Sequence, residues 1–259
     1  MREMENRGSE KPSLGVGGIL RETVAILAGS PGAVLVLAII PMLALTVVRH
    51  HLAPGEFTRQ SDALFPVDAS SSVTAYIASW IILFVVLAIS GGCLISIVRE
   101  VKSGQPADIW KSLHSVIPVL IPLIICDSIA NIAITLGTLA LIVPGLYLSG
   151  LWCAVSPSIV IEGSRYVSFR RSLQLTEYYR WPCVAVMSVL LILQVIVEFG
   201  VTEPLRHLIL SPDVTDKATF LLISGLSDGI GTALYAVAST LIFLRLRDIK
   251  EGNLPEVFT

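Results

Sequence analysis

The chain has 259 residues, of which 54% are hydrophobic and 15% charged, with a formal net charge of −2. Soluble domains carry roughly 25% charged residues, so this chain lacks the polar surface that a water-soluble globule needs. Its basic residues stand at the ends of apolar stretches, where they anchor a membrane protein, and this placement excludes a nucleic-acid-binding role.

Met1 to Pro12 is charged and polar and predicts a flexible cytoplasmic segment, 1–12, before a membrane domain over 13–249 and a short cytoplasmic tail over 250–259. No apolar stretch with a small-residue cleavage site stands close to Met1, so the first span is expected to be an uncleaved anchor. Arg2 occupies the place where myristoylation needs glycine, and Val257-Phe258-Thr259 ends no prenylation signal.

Six apolar segments follow in order: Pro31–Val48, Val73–Val98, His114–Thr135, Thr138–Ile161, Cys183–Thr202 and Ala218–Leu244. Each meets or nearly meets the ~20 residues that a helix needs to cross ~30 Å of hydrocarbon. From His114 to Ile161 the only charged residue is Asp127, so a turn must divide this stretch. A turn at Leu136-Gly137-Thr138 leaves two spans of adequate length, whereas a division at Pro144-Gly145 leaves the second short. Pro144-Gly145 is then expected to kink the fourth span and let a neighbouring backbone approach.

Lys and Arg residues alternate with the spans. Fourteen fall on the side that holds both termini and four on the other, which predicts cytoplasmic termini. Each odd-numbered span also follows a short stretch with apolar residues at helical spacing. Ile19, Leu20 and Thr23 oppose Arg21 and Glu22; Ile109, Leu113 and Val116 oppose Lys111; Phe169, Leu173 and Thr176 oppose Arg170 and Arg171. These predict three interfacial amphipathic helices with basic faces toward anionic headgroups, and a unit of helix, span, turn, span used three times. The fold class is therefore an all-α integral membrane protein. Its partners are expected to be membrane lipids and, in one reading, other membrane proteins.

Ile142-Val143-Pro144-Gly145-Leu146-Tyr147-Leu148, Trp152, Pro157, Val160-Ile161-Glu162-Gly163 and Arg170-Arg171-Ser172-Leu173-Gln174-Leu175 stand in that order, and the chain closes on Leu244-Arg245-Leu246-Arg247-Asp248-Ile249-Lys250-Glu251-Gly252. This resembles the YciC-like family of bacterial inner-membrane proteins, related to the membrane domain fused to some glycerophosphodiester phosphodiesterases. The resemblance implies a six-span inner-membrane protein without phosphodiesterase chemistry, since that belongs to a separate soluble domain. The family usually has a glycine after the arginine-serine block, and this chain has Leu175 to Arg180 instead. Glu162, near Arg165, Arg170 and Arg171, can pin the third lead-in helix to the fourth span or hold a headgroup amine.

Three carboxylates lie within spans. Asp127 and Asp228 are expected at similar depth near the midplane and Glu198 closer to the outer face, with no Lys or Arg in any span core. An ionised Asp at a helix centre costs about 2.5–3.5 kcal/mol on insertion scales, so each must find a proton or a cation. With Asn131, Gln194 and Ser227 beside them, they read either as a proton or cation relay or as hydrogen-bonded packing between helices. Gly225-Leu226-Ser227-Asp228-Gly229 fits the small-residue packing motif. It also matches the nucleophile elbow of serine hydrolases, which needs a strand-to-helix turn and so does not suit a helix.

Cys93, Cys126, Cys153 and Cys183 lack redox or zinc spacing and read as small apolar side chains. Adjacent His50 and His51, with Glu56, point apart on a helix and do not form a metal site. No cofactor and no enzymatic activity are expected. The function expected first is a non-enzymatic protein that organises lipid or partner proteins in the bacterial envelope; the alternative is a small proton- or cation-coupled transporter or channel that uses the carboxylates within the spans.

Overall fold

The computed structural model describes residues 14–52, 73–202, 204 and 215–252. The expected N-terminal segment, residues 253–259, most of the two longer connections between spans, and Glu56 lie outside the described residues, while Lys250 and Glu251, expected in the C-terminal tail, end the last helix. Every described element is helical. Six helices are long and apolar enough to cross a membrane, and the chain is an all-α multi-pass membrane protein.

The first lead-in helix, α1 (Val16–Gly29), stops at Ser30 because the following Pro31 disfavours helical backbone before it. Pro31 starts the first span, α2 (Pro31–Leu52), at a position where its missing N–H costs nothing. The second span is α3 (Val73–Lys102). Asp108 caps the next lead-in helix, α4 (Ile109–Val116), by accepting from the N–H groups of Trp110 (2.9 Å) and Lys111 (3.2 Å). A tight turn over Ile117–Val119 then leads into the third span, α5 (Leu120–Ala140).

The third and fourth spans divide at Leu141, not at Gly137. Leu141 is extended, with φ −159° and ψ 131°, and Gly137 lies inside α5. The cause is Pro144, whose ring would strike the carbonyl of residue 140 in a continuous helix. The helix ends at Ala140, and Pro144 falls in the first turn of α6 (Ile142–Trp152), which it does not kink. Gly137 and Gly145 serve instead where the two helices cross, since a Cβ on Gly137 would lie 3.3 Å from the Gly145 Cα.

The break in the fourth span comes later, at Cys153 and Ala154, before α7 (Val155–Glu162). Pro157 removes the N–H that would have bonded to the Cys153 carbonyl. There the Leu151 carbonyl accepts from Ser172 Oγ at 2.6 Å, fixing the third lead-in helix, α8 (Ser168–Thr176), against the fourth span. Ser168, Ser172, Leu175 and Thr176 of α8 are buried against protein, while Phe169 and Leu173, expected to face acyl chains, are half-buried and Phe169 packs on Trp152. The fifth span, α9 (Arg180–Val197), continues as a π turn over Glu198–Thr202, and the sixth, α10 (Thr215–Glu251), has 37 residues.

Tyr178, between α8 and α9, has φ 70°, a left-handed conformation that glycine adopts most readily. It falls in the stretch where the resembled family usually has glycine. Tyr178→Gly is therefore expected to be more stable than Tyr178→Ala by about 1 kcal/mol, because both lose the ring under Lys250 but only glycine relieves the backbone. Thermal denaturation in detergent measures the difference, and equal midpoints would contradict it.

The sixth span is the hub, packing against α1, α2, α3 and α9. At the end of the domain that carries the lead-in helices, Ile19, Leu175, Cys183, Ile242, Phe243 and Leu246 form a fully buried apolar cluster. Each lead-in helix is also tied by charge to the end of an even-numbered span. Glu22 of α1 pairs with Arg245 (2.8 Å) and Lys102; Lys111 of α4 pairs with Glu100 (3.2 Å); Arg171 of α8 pairs with Glu162 (2.8 Å) and Glu251. On the outer surface of α5, Ile121, Ile125, Ile129, Ile132, Leu136 and Leu139 remain exposed at three- and four-residue spacing. In a membrane protein such a stripe faces lipid.

Candidate functional site

A cavity of about 790 Å³ runs through the helical domain. Along α10 its lining extends from Ser224 to Ser239, about 22 Å of helix rise. Arg49 of α2 and Glu198, in the π turn after α9, lie toward the end opposite the lead-in helices. Beyond Ser239 the helix enters the packed cluster of Ile242, Phe243 and Leu246, where the cavity stops.

Five of the six polar residues expected within spans line this one space: Asp127 and Asn131 from α5, Gln194 from α9, Glu198 from the π turn that continues it, and Asp228 from α10. The sixth, Ser227, is buried behind the lining and accepts from Gln194 Nε2 at 3.4 Å. Helical geometry explains the convergence. Asp127 and Asn131 are four residues apart, as are Gln194 and Glu198, so each pair shares one helix face.

Asp127 Oδ1 accepts from Ser156 Oγ of α7, which bridges the third and fourth spans. The Asn131 amide donates to the Asp127 carbonyl at 2.8 Å. Asp228 lies seven residues before Tyr235 on α10, about 10 Å of rise. Arg171 bonds to both Glu162 and Glu251, so those helix ends are level. Ser156, which bonds Asp127, lies six residues before Glu162, about 9 Å of rise, whereas Asp228 lies twenty-three residues before Glu251, about 35 Å, so Asp127 and Asp228 stand at different depths rather than the same one. The carboxylates are therefore stepped along the cavity.

Arg49, in the last turn of the first helix and outside the span core, is nonetheless part of the cavity lining. The first helix continues through Leu52, past the expected end at Val48, and Arg49 faces the cavity. Its guanidinium sits 5.6 Å from the Trp80 ring centroid and acts electrostatically on Asp228. By its sequence position alone, Arg49 is a loop charge; the residues Ser156, Trp152 and Tyr235, which also line the cavity, have no sequence feature that points to one.

The remaining expected residues lie elsewhere. Arg21, Lys111, Glu162, Arg165, Arg170 and Arg171 belong to the lead-in helices and their junctions. Arg171 Nε and Nη2 each donate to Glu162 at 2.8 Å, and this bonding, joined by Glu251, holds the guanidinium still further above its ordinary value. Arg171 therefore stays charged throughout the physiological range. Arg21, Arg165 and Arg170 are exposed. Gly225 and Gly229 lie in helical backbone and set α10 against the first span: a Cβ on either would come within 2.9 Å of a Cα, of Leu43 and Ile39 respectively.

The Ser227 hydroxyl, inside a helix and bonded to Gln194, does not form a nucleophile elbow. Among the described residues no group of three or more His, Cys, Asp or Glu is placed to hold a metal ion. The fold and site thus define a multi-pass membrane protein with an internal, carboxylate-lined cavity. Compared with known proteins, the chain matches no family model, no curated protein and no solved structure.

Proposed function

We propose that this is a non-enzymatic transport protein of the bacterial inner membrane, which moves a small solute through its cavity with coupling to a proton or cation. The observation that carries this reading is the convergence of Asp127, Asn131, Gln194, Glu198 and Asp228, from three spans, on one space. Acids used only as packing between helices would bury against neighbouring helices. Here they face open volume, and carboxylates in that position mark solute and ion pathways.

Cytoplasmic termini are supported by the charge count and by the surface of the lead-in end. Trp110, Tyr166, Tyr178 and Trp181 are exposed there with Arg21, Arg165 and Arg170, the composition of a membrane–water interface. The resemblance to the YciC-like family supports the inner membrane. The same exposed arginines favour a second, compatible role in ordering anionic lipid of the inner leaflet.

The transport reading requires water in the cavity. Thr232, one turn after Asp228, lines it, and Ile230 is exposed outside it. The native cysteines are all buried and give a low background. In proteoliposomes, Thr232→Cys is expected to react with a charged, membrane-impermeant thiol reagent at least about tenfold faster than Ile230→Cys, because only a wet thiol ionises. Equally slow labelling at both positions would remove the reading.

A further inference from the structure

We infer that the cavity binds an organic cation, a protonated amine or quaternary ammonium on an apolar body, with its charge seated at Asp127. This rests on the transport reading for the cavity's place in a solute path and names the chemistry of the solute.

The charge balance comes first. Among the described residues the lining holds three carboxylates and one guanidinium, so a desolvated cation is favoured over an anion. Arg49 acts on Asp228, near the end where Glu198 also lies. Asp127 is deeper; its partner is the neutral Ser156 hydroxyl, and no cation is paired with it among the described residues. The position that lacks a positive charge is therefore the deep one.

The shape of the lining selects an organic cation over an inorganic one. The carboxylates are stepped along the cavity instead of converging around a point, and they do not form a chelating set among the described residues. Part of the lining is apolar, with Leu83, Leu87 and Ile95 of α3, and on the same helix Gly91 has open space where a side chain would stand. That part suits methylenes or rings. Trp152, four residues before Ser156, and Tyr235 also line the cavity, and aromatic rings attract ammonium groups. The volume of about 790 Å³ lies within the ~300–1,000 Å³ of small-molecule sites. The same chemistry is offered by a soluble amphiphilic amine and by the headgroup of an aminophospholipid.

The test uses the whole protein in nanodiscs of phosphatidylglycerol, with tetraphenylphosphonium as probe and tetraphenylborate as its anionic counterpart of matching shape. Equilibrium dialysis, with partition into protein-free nanodiscs subtracted, should show a saturable site for the cation and none for the anion. Asp127→Asn should weaken cation binding about 10- to 100-fold, and Ile129→Asn, on the exposed face of α5, should leave it unchanged. Asp127→Glu should retain most of it, which controls for folding, and the wild-type preference for cation over anion is informative even if Asp127→Asn does not fold. Adding phosphatidylethanolamine separates the sources: competition assigns the site to a lipid amine and its absence to a soluble one, and both outcomes fit the inference. Equal binding of the two ions, or affinity unchanged by a folded Asp127→Asn, would overturn it. If cation binding fails while Thr232→Cys still labels from water, the ligand class falls and the transport reading stands; if labelling fails as well, both fall.

Discussion

Asp127→Asn should reduce proton-coupled flux in proteoliposomes by at least about tenfold while leaving the protein folded. Asparagine keeps the size of the side chain and the acceptor oxygen for Ser156 Oγ, so the bridge between α5 and α7 survives. It carries neither a negative charge nor an exchangeable acid proton. Asp228→Asn should have a smaller effect, because Asp228 already feels the Arg49 guanidinium. Asp127→Leu should fail as Asp127→Asn does, and a leucine at Ile129, on the exposed face of the same helix, should have no effect. The measurement is acidification of a dye trapped in vesicles under an imposed potential. Wild-type flux from a folded Asp127→Asn protein would leave the carboxylates as packing groups.

The largest expected loss of stability comes from filling the small-residue face of the sixth span. A Cβ on Gly229 would lie 2.9 Å from the Ile39 Cα and 3.2 Å from the Ala38 carbonyl oxygen; one on Gly225 would lie 2.9 Å from the Leu43 Cα. These are backbone atoms, so a side chain cannot be accommodated by a rotamer change and the helices must separate. Overpacking at one such site costs about 1–3 kcal/mol. The double substitution Gly225→Ala, Gly229→Ala should therefore lose about 3 kcal/mol or more, and Gly229→Leu alone should do comparable damage. Gly91→Ala is the matching control. Gly91 lies in helix α3 with open space around its would-be Cβ, so alanine there should be neutral or stabilising by roughly 0.5–1 kcal/mol. Titration with a denaturing detergent, followed by far-ultraviolet ellipticity, reads all of these. A double variant as stable as wild type would show that α2 and α10 do not pack through these glycines.

The two experiments probe different consequences of one arrangement. Glycines bring α10 against α2 on one face, and the polar face of the same helix is left toward the cavity. A helix that bundled tightly on every side would have no room for Asp228 and Thr232. Removing the glycine contact should thus disturb the cavity as well as the fold, whereas removing a carboxylate should disturb only the cavity.

Much of the architecture was readable from the chain. Long uncharged stretches dictate membrane helices because each backbone amide must be satisfied within its own helix in hydrocarbon. Six such helices are present, and each odd-numbered span follows a short separate helix. The i, i+4 spacing of Asp127 with Asn131, and of Gln194 with Glu198, placed each pair on a shared face. The spacing of Gly225 and Gly229 pointed to close helix contact in the same way. These features are local, set by helical period and by the cost of burying charge.

What the chain did not disclose depended on how the helices meet. Leu141 divides the third and fourth spans because Pro144 acts four residues back, and composition alone favoured the glycine. Arg49 joins the cavity because the first helix runs one turn past its apolar stretch and turns that face inward. Ser156 reaches Asp127 only because a break at Cys153 and Ala154 sets α7 beside α5. Periodicity fixes which side chains share a face of one helix; which faces oppose each other, and at what depth, is fixed by packing between helices distant in sequence.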